Sequence, residues 1–455
     1  MRKIILIFIF SSQLAQAQIT VKNIVLIGNT KTQNDIIIRE LSFEKNVSYV
    51  DLENRIEESR KDLVNLKLFN FVTFNKTEYN GSAEVTIEVI EKWYIWPFPL
   101  LEISERNFNT WWQEFTANNY SDFSRLNYGL SLNWENFRGR NELLKLKIRK
   151  GFKEHYLLAY EVPYVNKNKT IGFNTNLQLF RRKKTHFTSQ DNKLSYFESD
   201  TFNSIDYDLN TEIIYRKSLR QKHKLKFTYL NSTITNSIAR LNPNYLSNSL
   251  SNTSIYALRY IFEYENRDYI AYPLHGFALN FSIKKYHSIT ANVQHSEFAT
   301  KVEKYIEPYK RLFIGSSFKA KYSTEGNQPY FIQKALGYTD YVRGYEYYVV
   351  DGQSYWLSKT AIKYALIEKT TFYIPYLKMN QFNKSHYSIY LGVFSDLGYV
   401  KNNQNQEQNS INNSILLGKG ISLDYVTYYD KLLRIEYSIN ALGEKGVFLH
   451  FSSPF

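Results

Sequence analysis

The 455-residue chain contains no cysteine, so disulfides, thiol chemistry and a lipid attached to a mature N-terminal cysteine are all excluded. After the first residues, no run is apolar for long enough to cross a membrane as a helix. Enzyme signatures are also missing: there is no GxSxG motif, no nucleotide-binding loop, and no metal-ligand spacing among the eight histidines. We therefore expect a protein that is not an enzyme and that uses no cofactor and no metal ion.

The first residues have the pattern of a secretory signal peptide. A basic start precedes the apolar core Ile4–Phe10, and Ala15 and Ala17 are small residues at the two positions that a signal peptidase reads. The apolar core is too short to cross a membrane as a helix. The pattern predicts a signal peptide over residues 1–17, and the alternative is a buried N-terminal strand.

The composition is unusual for a soluble protein. Aromatic residues make up 17% of the chain, with 39 Tyr and 31 Phe, yet the mean hydropathy is −0.43. A secreted chain with many aromatics and low hydropathy is typical of an outer-membrane β-barrel, in which every second residue faces lipid. The net charge of +14 would ordinarily suggest nucleic acid. After a secretory signal we expect no nucleic-acid partner, and we expect the basic residues to face the lumen, the loops or anionic lipid head groups.

Residues 19–92 have the spacing of apolar residues that is expected of a small α+β domain. The segments read strand, helix, helix, strand, strand, from their alternating and helical apolar spacing. Thr32 and Asp51 stand where helix N-caps are expected. Asn80 and Gly81 form a hairpin signal between the last two strands.

Residues 94–455 are dominated by strand patterns. We count sixteen segments that alternate with period two, an even number as in bacterial outer-membrane barrels. The first contains Pro97 and Pro99, which cannot donate to a ladder, so it is expected to pair weakly on at least one side. Long polar loops are expected at residues 181–204, 231–253 and 400–413. The predicted fold is a small α+β domain followed by a 16-stranded antiparallel transmembrane β-barrel.

One segment of this barrel, at about residues 324–354, is too long for a simple turn and carries an arginine among aromatics. Asp396 lies in an otherwise apolar and aromatic strand, where a lipid-facing carboxylate would be costly, so it is expected to face the lumen. If the segment folds back into the barrel, Arg343 can grip Asp396 with two hydrogen bonds. Gly344 would let the backbone turn sharply beside the arginine.

Three motifs, in order along the chain, resemble those of the outer-membrane assembly superfamily of BamA, TamA and the two-partner-secretion transporters. They are Asp268, Pro273 and Gly276 before a strand, the loop-tip motif Val342, Arg343, Gly344 and Tyr345, and the FxDxG strand motif with Phe394, Asp396 and Gly398. The resemblance implies that the loop lies inside the barrel with its arginine against the strand aspartate. The phrases VLIGNTKT and LKLFNFVTF make residues 19–92 similar to a POTRA domain, which implies a periplasmic module whose sheet edge adds a strand from a client.

The end of the chain is similar to a terminal strand that is recognised during barrel assembly. Gly446, Leu449 and Phe451 fit the spacing of that signal, and Phe455 is a terminal aromatic. The alternative is an ordinary final strand, because alternation alone yields most of the pattern.

For this family the implied activity is insertion or translocation of other outer-membrane proteins, with the barrel in the bacterial outer membrane. In the implied mechanism, the first and last strands of the barrel pair weakly and form a seam. This seam opens sideways into the lipid, and a client strand pairs with the exposed strand edges. The implied partners are the outer-membrane lipid bilayer, client outer-membrane or secreted proteins, and periplasmic or lipoprotein accessory subunits.

Two alternatives stay open. The first is a passive or gated outer-membrane channel with a plugging loop. The second concerns the role within the family. Because only one POTRA-like module is predicted, the chain can be either the general insertase or a specialised relative. Trp111 and Trp112 are interpreted as interface anchors, with ligand binding as the alternative.

Overall fold

The computed structural model describes residues 18–103, 108–117, 126–288, 290–324, 326, 328–377, 379, 383–403, 409–427 and 431–452. The predicted signal peptide and Phe455 of the predicted terminal-strand signal lie outside the described residues. The chain divides after Glu91 into two compact units, called here the N-terminal unit and the barrel unit.

The N-terminal unit is a four-stranded sheet with two helices. Its elements are, in chain order, β1 (Ile19–Ile27), α1 (Asn34–Ile38), β2 (Ser48–Tyr49), α2 (Leu52–Asn65), β3 (Phe69–Tyr79) and β4 (Ser82–Glu91). The strand order is β2-β1-β4-β3, with β1 parallel to β4 and the other neighbours antiparallel. Leu52, Ile56 and Leu63 recur at helical spacing on α2 and are buried where this helix packs against β3.

The turn between β3 and β4 follows from its sequence. Asn80 and Gly81 have φ of 48° and 72°, the left-handed conformations that a tight hairpin requires. Asparagine and glycine tolerate these angles better than other residues do. The predicted hairpin at this position is confirmed.

The predicted cap at Thr32 is wrong. Its hydroxyl donates to Glu91 Oε1 at 2.6 Å, and the N-cap position of α1 is taken by Gln33, whose side chain makes no capping hydrogen bond. The Glu91 carboxylate also accepts from the backbone N–H groups of Lys31 and Thr32. The buried carboxylate at the end of β4 thus holds the segment that leads into α1, and the N-cap position falls one residue later than predicted.

Asp51 occupies the N-cap position of α2, as predicted, but its side chain makes no capping hydrogen bond. Instead it accepts from Arg55 Nε at 2.9 Å. This hydrogen bond lowers the pKa of the exposed Asp51 carboxyl below its ordinary value.

The barrel unit is built on one antiparallel sheet of sixteen strands, which confirms the predicted fold class. The strands of this sheet are β5 (Ile95–Ile103), β6 (Leu126–Phe137), β7 (Glu142–Gly151), β8 (Lys153–Val162), β9 (Ile171–Arg182), β12 (Ser204–Tyr215), β13 (Gln221–Ile234), β14 (Asn252–Arg267), β15 (Gly276–Ser288), β16 (Val293–Tyr309), β17 (Leu312–Ser323), β18 (Ser354–Tyr373), β19 (Lys384–Lys401), β20 (Ile415–Thr427), β21 (Lys431–Asn440) and β22 (Lys445–Ser452). Each pairs with the next in this order.

Side chains alternate along the strands between the outside and the inside of the barrel. In β19, Leu391, Val393 and Leu397 are exposed, whereas Phe394 and Asp396 are buried. An apolar outer face and a polar or tightly packed inner face are the pattern of a barrel surrounded by lipid. Of the helices that the structure describes, none is both long and apolar enough to cross a membrane.

Two connections carry structure that the sequence did not predict. The stretch 181–204, expected to be a loop, forms a separate hairpin of β10 (Lys184–Gln190) and β11 (Lys193–Glu198). The connection between β5 and β6 contains a helix, α3 (Phe108–Ala117). Two short helices complete the unit, α4 (Asn236–Leu241) and the 3₁₀ turn Tyr330–Ile332.

Candidate functional site

The segment between β17 and β18, described at residues 324, 326 and 328–353, packs against the inner face of the sheet and is called here the inward loop. Leu336 and Val350 exchange two backbone hydrogen bonds, of 3.1 and 2.9 Å, which close its base. Val342 and Tyr345 are buried in an apolar cluster with side chains of β18, β19 and β20. The loop tip is therefore a packed element of the barrel interior.

Arg343 and Asp396 are in direct contact at this tip. Arg343 Nε donates to Asp396 Oδ2 at 2.8 Å, and Nη2 donates to Oδ1 at 2.5 Å. The backbone N–H of Arg343 adds a bond to Oδ2 at 3.1 Å. Asp396 is 0% exposed and Arg343 is 6% exposed. The planar guanidinium thus binds the carboxylate with two parallel hydrogen bonds in an interior where water does not compete.

Further groups hold the guanidinium in place. Its central carbon lies 3.8 Å from the centre of the Phe394 ring, within cation–π range. Lys359 Nζ lies 3.8 Å from Asp396 Oδ2, so a second cation faces the same carboxylate. Phe394 and Asp396 lie two positions apart on β19 and both face inward, which puts the ring and the carboxylate on the same side of the sheet.

Glycines let the loop tip approach the wall closely. Gly344 has φ of 91°, and its N–H donates to Glu346 Oε2 at 2.8 Å. A Cβ at Gly398 would lie 2.7 Å from a methyl group of Val342. A Cβ at Gly418 would lie 1.8 Å from the Arg343 carbonyl oxygen, which leaves no room for any side chain. The sequence motif identified Gly344 and Gly398, whereas Gly418 was missed.

Two buried glutamates, Glu346 and Glu436, form a cluster with the partly buried His450 beside the pair. Each offers one ligand atom, and these atoms lie within 4.8 Å of one another, so the residue types suit a divalent cation. Arg343 Nη1 and Arg434 Nε lie 3.6 and 3.7 Å from Glu436 Oε1, however. Because two guanidinium groups already face this carboxylate, we interpret the cluster as part of the ion-pair network and assign it no metal.

The predicted motif before β15 lies in the connection that follows β14. Asp268 Oδ1 accepts backbone N–H groups of the same connection at 3.1 and 3.0 Å, which fixes the turn. Gly276 has φ of 105°, a conformation that favours glycine. Between them, Tyr272 donates its O–H to Asp424 Oδ2 of β20 at 2.6 Å. Pro273 lines an interior cavity of about 310 Å³ that also touches Arg343.

The sheet has two edge strands, β5 and β22. Within the residues that the structure describes, no ladder joins β5 to β22. On β5, Tyr94 just before the strand accepts a backbone bond from Glu135, and the register with β6 is regular from there. Backbone groups of alternate residues point to opposite sides, so Pro97 and Pro99 direct their nitrogens away from β6. The free edge of β5 therefore lacks an N–H donor at two positions.

The edge of β22 differs from that of β5. Asn440 donates its N–H to Glu444 O at 3.0 Å at the turn, and the register between β21 and β22 is regular. By the same alternation, Leu449 faces its N–H and C=O away from β21. Gly446 and Phe451 of the predicted terminal-strand signal lie on the same strand, and the Phe451 side chain is 67% exposed. This edge keeps its donors and acceptors.

Residues 136–440 match the family model described as the Omp85 superfamily domain. BamA from Haemophilus ducreyi lacking POTRA domains 1–3 is similar in structure, with 14% identity, a TM-score of 0.54, and coverage of 95% of this chain and 84% of that chain. CdiB from Escherichia coli has 9% identity, a TM-score of 0.50, and coverage of 97% and 91%. At these identities the likeness shows the fold.

A comparison with curated protein sequences finds no match.

Proposed function

The chain belongs to the Omp85 superfamily, and from this premise we propose that it inserts or translocates client proteins at a weak seam between β5 and β22. The superfamily and the barrel fold support outer-membrane protein insertion or translocation in general, and a location in the bacterial outer membrane. The finer proposal names the edges of the sheet as the working surface. Its clients are outer-membrane or secreted proteins.

The difference between the two edges carries this proposal. β5 turns two proline nitrogens toward the seam, so a closed seam would lack backbone hydrogen bonds at Pro97 and Pro99. Each missing bond in a hydrocarbon environment leaves an acceptor on the opposite strand unsatisfied. A seam that lacks two backbone hydrogen bonds opens at lower cost than a strand pair of the same length with a complete ladder. The opened edges of the seam are then templates for an incoming strand.

The inward loop is proposed to brace the barrel while the seam opens. Opening one strand pair removes the closure that normally holds a barrel in shape. The bonds between Arg343 and Asp396 tie the loop tip to β19, the fourth strand from the β22 edge. Val342 and Tyr345 add apolar contacts on the same wall. The loop-tip and FxDxG residues thus have a structural role in this proposal.

We place the N-terminal unit in the periplasm as a POTRA-like domain. Its element order and its parallel β1–β4 pairing support this assignment. β3 lies at the end of the sheet order, so its outer edge offers a place for a client strand or for a periplasmic or lipoprotein accessory subunit.

A second candidate function is a gated channel with the inward loop as its plug. The burial of the loop tip in the barrel interior favours this candidate. The two functions differ in the element that moves. A channel opens when the inward loop leaves the lumen, whereas an insertase opens when the strands at the seam separate.

The test uses the purified full-length chain in lipid vesicles with an unfolded outer-membrane barrel protein as client. A photo-crosslinking residue is placed at Val447 on β22, whose side chain faces outward next to the free edge. The matched control places it at Leu209 on β12, an outward position in the middle of the sheet. We expect client adducts at position 447 and none at position 209, together with faster client folding than in empty vesicles.

Equal adducts at the two positions, or client folding no faster than in empty vesicles, would contradict the proposal. Ion conductance measured on the same vesicles separates the second candidate. A channel gives openings without client, whereas an insertase braced by its loop stays mostly closed.

A further inference from the structure

The cavity of about 310 Å³ that Pro273 and Arg343 line, called here the chamber, lies between two connections that fold into the barrel. One is the inward loop, which contributes Thr339 and Tyr341. The other is the connection after β14, which contributes Pro273 and Leu274. Because neighbouring strands are antiparallel and β14 and β17 are three strands apart, the two connections leave the sheet at opposite ends. The chamber is therefore an internal space of the lumen, and the sheet separates it from lipid.

The connection after β14 is held in the lumen by Tyr272. Its hydroxyl donates to Asp424 Oδ2 of β20 at 2.6 Å, and its ring packs against Tyr390 of β19 with the ring centres 5.0 Å apart. Lys363 Nζ of β18 lies 4.1 Å from the centre of the Tyr272 ring. Since β20 is five strands from β15 in the sheet, the connection crosses the lumen. The chamber thus has packed walls at both ends.

The surface of the chamber is strongly basic. Its charged lining consists of two carboxylates, those of Glu303 and Asp340, and six cations. The cations are Lys301, Lys319, Arg343, Lys359, Lys363 and Arg434. Asp396 and Asp424 lie behind this surface with 0% exposure, and the two guanidinium groups of the lining bind them. A low-dielectric space lined by one sign of charge attracts ions of the other sign, here anions.

Three of the lysines come from neighbouring strands and share the inner face of the sheet. Lys301 of β16 is directly opposite Lys319 of β17. Lys359 of β18 is opposite Ser317, two residues before Lys319, so these two lysines are diagonal neighbours. Like charges that face each other across strands destabilise a sheet, and long side chains at diagonal positions can reach each other. An anion between the three ammonium groups would remove this repulsion.

Lys359 has no hydrogen-bond acceptor among the residues that the structure describes. The closest carboxylate oxygen, Asp396 Oδ2, is 3.8 Å from Lys359 Nζ and already accepts two hydrogen bonds from Arg343. The ring of Tyr341 lies 4.5 Å from the same Nζ. The Lys359 side chain is 30% exposed, and it lines the chamber. Its three N–H donors are therefore available to a molecule in the chamber.

A second cavity leads from one end of the barrel to the chamber. Its volume is about 450 Å³, and it shares Lys301, Glu303 and Lys319 with the chamber. Arg220 lines it before β13, and Arg267 lines it at the end of β14, which is the same end of the sheet. Basic residues thus follow the route from the barrel end to the chamber, which favours the entry of an anion.

We propose that the chamber binds a small, soluble molecule that carries a phosphate group. A phosphate dianion has several acceptor oxygens, which suits ammonium and guanidinium donors that come from three strands and from the loop tip. The volume of about 310 Å³ lies at the lower end of the range for small-molecule sites, so the ligand is compact. Because the sheet separates the chamber from lipid, the ligand is not a phospholipid head group. This inference does not depend on insertion at the seam.

A phosphate group in the chamber would connect the barrel wall to the inward loop. Lys319 and Lys359 belong to β17 and β18, whereas Arg343 belongs to the loop tip. A ligand that binds only when these groups are together stabilises that arrangement. Bound phosphate should therefore make the inward loop more resistant to protease.

The first experiment measures binding of radiolabelled inorganic phosphate by equilibrium dialysis. The full-length chain is purified in a sugar-based detergent, and chloride keeps the ionic strength constant. Wild type should retain phosphate, and Lys359→Gln should bind it about tenfold more weakly or worse, because a hydrogen bond between charged groups is lost. Lys359→Arg keeps the charge and should retain most of the affinity.

The matched control for this experiment is Lys226→Gln. Lys226 lies on β13 between Leu225 and Phe227, whose side chains are exposed on the outer face, so it also faces the lumen. It does not line the chamber. The control variant should bind phosphate as wild type does.

The second experiment locates the site with a thiol. Because the chain has no cysteine, Ser317→Cys places a unique thiol opposite Lys359. Inorganic phosphate and glycerol 3-phosphate should both slow its reaction with an anionic methanethiosulfonate reagent, and phosphatidic acid in the micelle should not. Thr228→Cys on β13 is the control, and its reaction rate should not change with phosphate.

The proposal is overturned if wild type retains no phosphate, or if Lys359→Gln and Lys226→Gln bind it equally well. Protection of position 317 by phosphatidic acid alone would overturn it as well, because the phosphate group would then belong to a lipid. If Lys359→Gln does not give a folded barrel, the thiol at position 317 decides, and equal reaction rates with and without phosphate contradict the site.

Discussion

Arg343 and Asp396 are joined by two parallel side-chain hydrogen bonds, and the Arg343 backbone N–H adds a third to the same carboxylate. One acidic residue of β19 thereby fixes both the side chain and the backbone of the loop tip. Loss of either partner would leave a buried charge without its counterpart.

The first prediction concerns this pair. Arg343→Ala should lower barrel stability by about 3–5 kcal/mol, because Asp396 would remain buried beside only the more distant Lys359. Arg343→Lys should fall between that variant and wild type, since an ammonium keeps the charge but not the planar fork. The measurement is the temperature at which the folded barrel loses its compact mobility on a gel.

The control for that prediction is Arg311→Ala. Arg311 donates to Glu368 at 2.9 Å, but both side chains are largely exposed. Exposed pairs of this kind contribute less than about 1 kcal/mol. If Arg311→Ala and Arg343→Ala lowered the unfolding temperature on the gel by the same amount, burial would not strengthen the interior ion pair.

The second prediction concerns the close approach of the loop to the wall. Gly418→Ala should push the loop tip off β20, because the new Cβ would overlap the Arg343 carbonyl oxygen. Gly315→Ala is the control, since its Cβ would meet only the ring of Tyr305, a side chain that can move. Protease cleavage within residues 324–353 and ion conductance should both rise for Gly418→Ala. If the Gly418→Ala variant resisted protease cleavage as well as wild type, the contact between the loop tip and β20 would be refuted.

The third prediction concerns the β5 edge. Replacing Pro97 and Pro99 with valine should add two N–H donors that face the seam. We expect client insertion to slow by about thirtyfold, since each of the two regained bonds contributes about 1 kcal/mol. Leu100→Val is the control, because its backbone faces β6. Unchanged insertion rates in the double variant would count against a seam weakened by these prolines.

The fourth prediction concerns the N-terminal unit. Glu91→Gln should destabilise it by about 2 kcal/mol, because an amide cannot accept all the donors of Lys31 and Thr32 that the carboxylate accepts. Glu88→Gln, at an exposed position of the same strand, should have little effect. Hydrogen exchange over residues 18–91 of the full chain measures the difference. Similar protection in both variants would show that the buried carboxylate is replaceable.

Period-two alternation made the barrel predictable from the sequence. Strand patterns such as that of β19 place apolar side chains on one face over many residues, and a slip of one residue would reverse them all. The loop-tip motif pointed to the contact between Arg343 and Asp396 because an interior charge needs a partner. The barrel strands and the ion pair at the loop tip depend on residue type and spacing, and both can be read from the sequence.

Other features depend on neighbours that are distant in the chain. α3 is rich in Phe, Trp, Asn and Thr, which are weak helix formers, so its stability comes from packing against β22. Thr32 was expected to cap a helix, but α1 begins one residue later, and Thr32 is bound by Glu91 on another element. Gly418 was missed because a glycine in a strand reveals a close approach only when the approaching Arg343 carbonyl is known.

The unequal edges of the sheet also imply where separation begins. An added strand finds complete pairing partners along β22 but interrupted ones at Pro97 and Pro99. Departure of the finished product would therefore begin at β5, where the fewest bonds have to break.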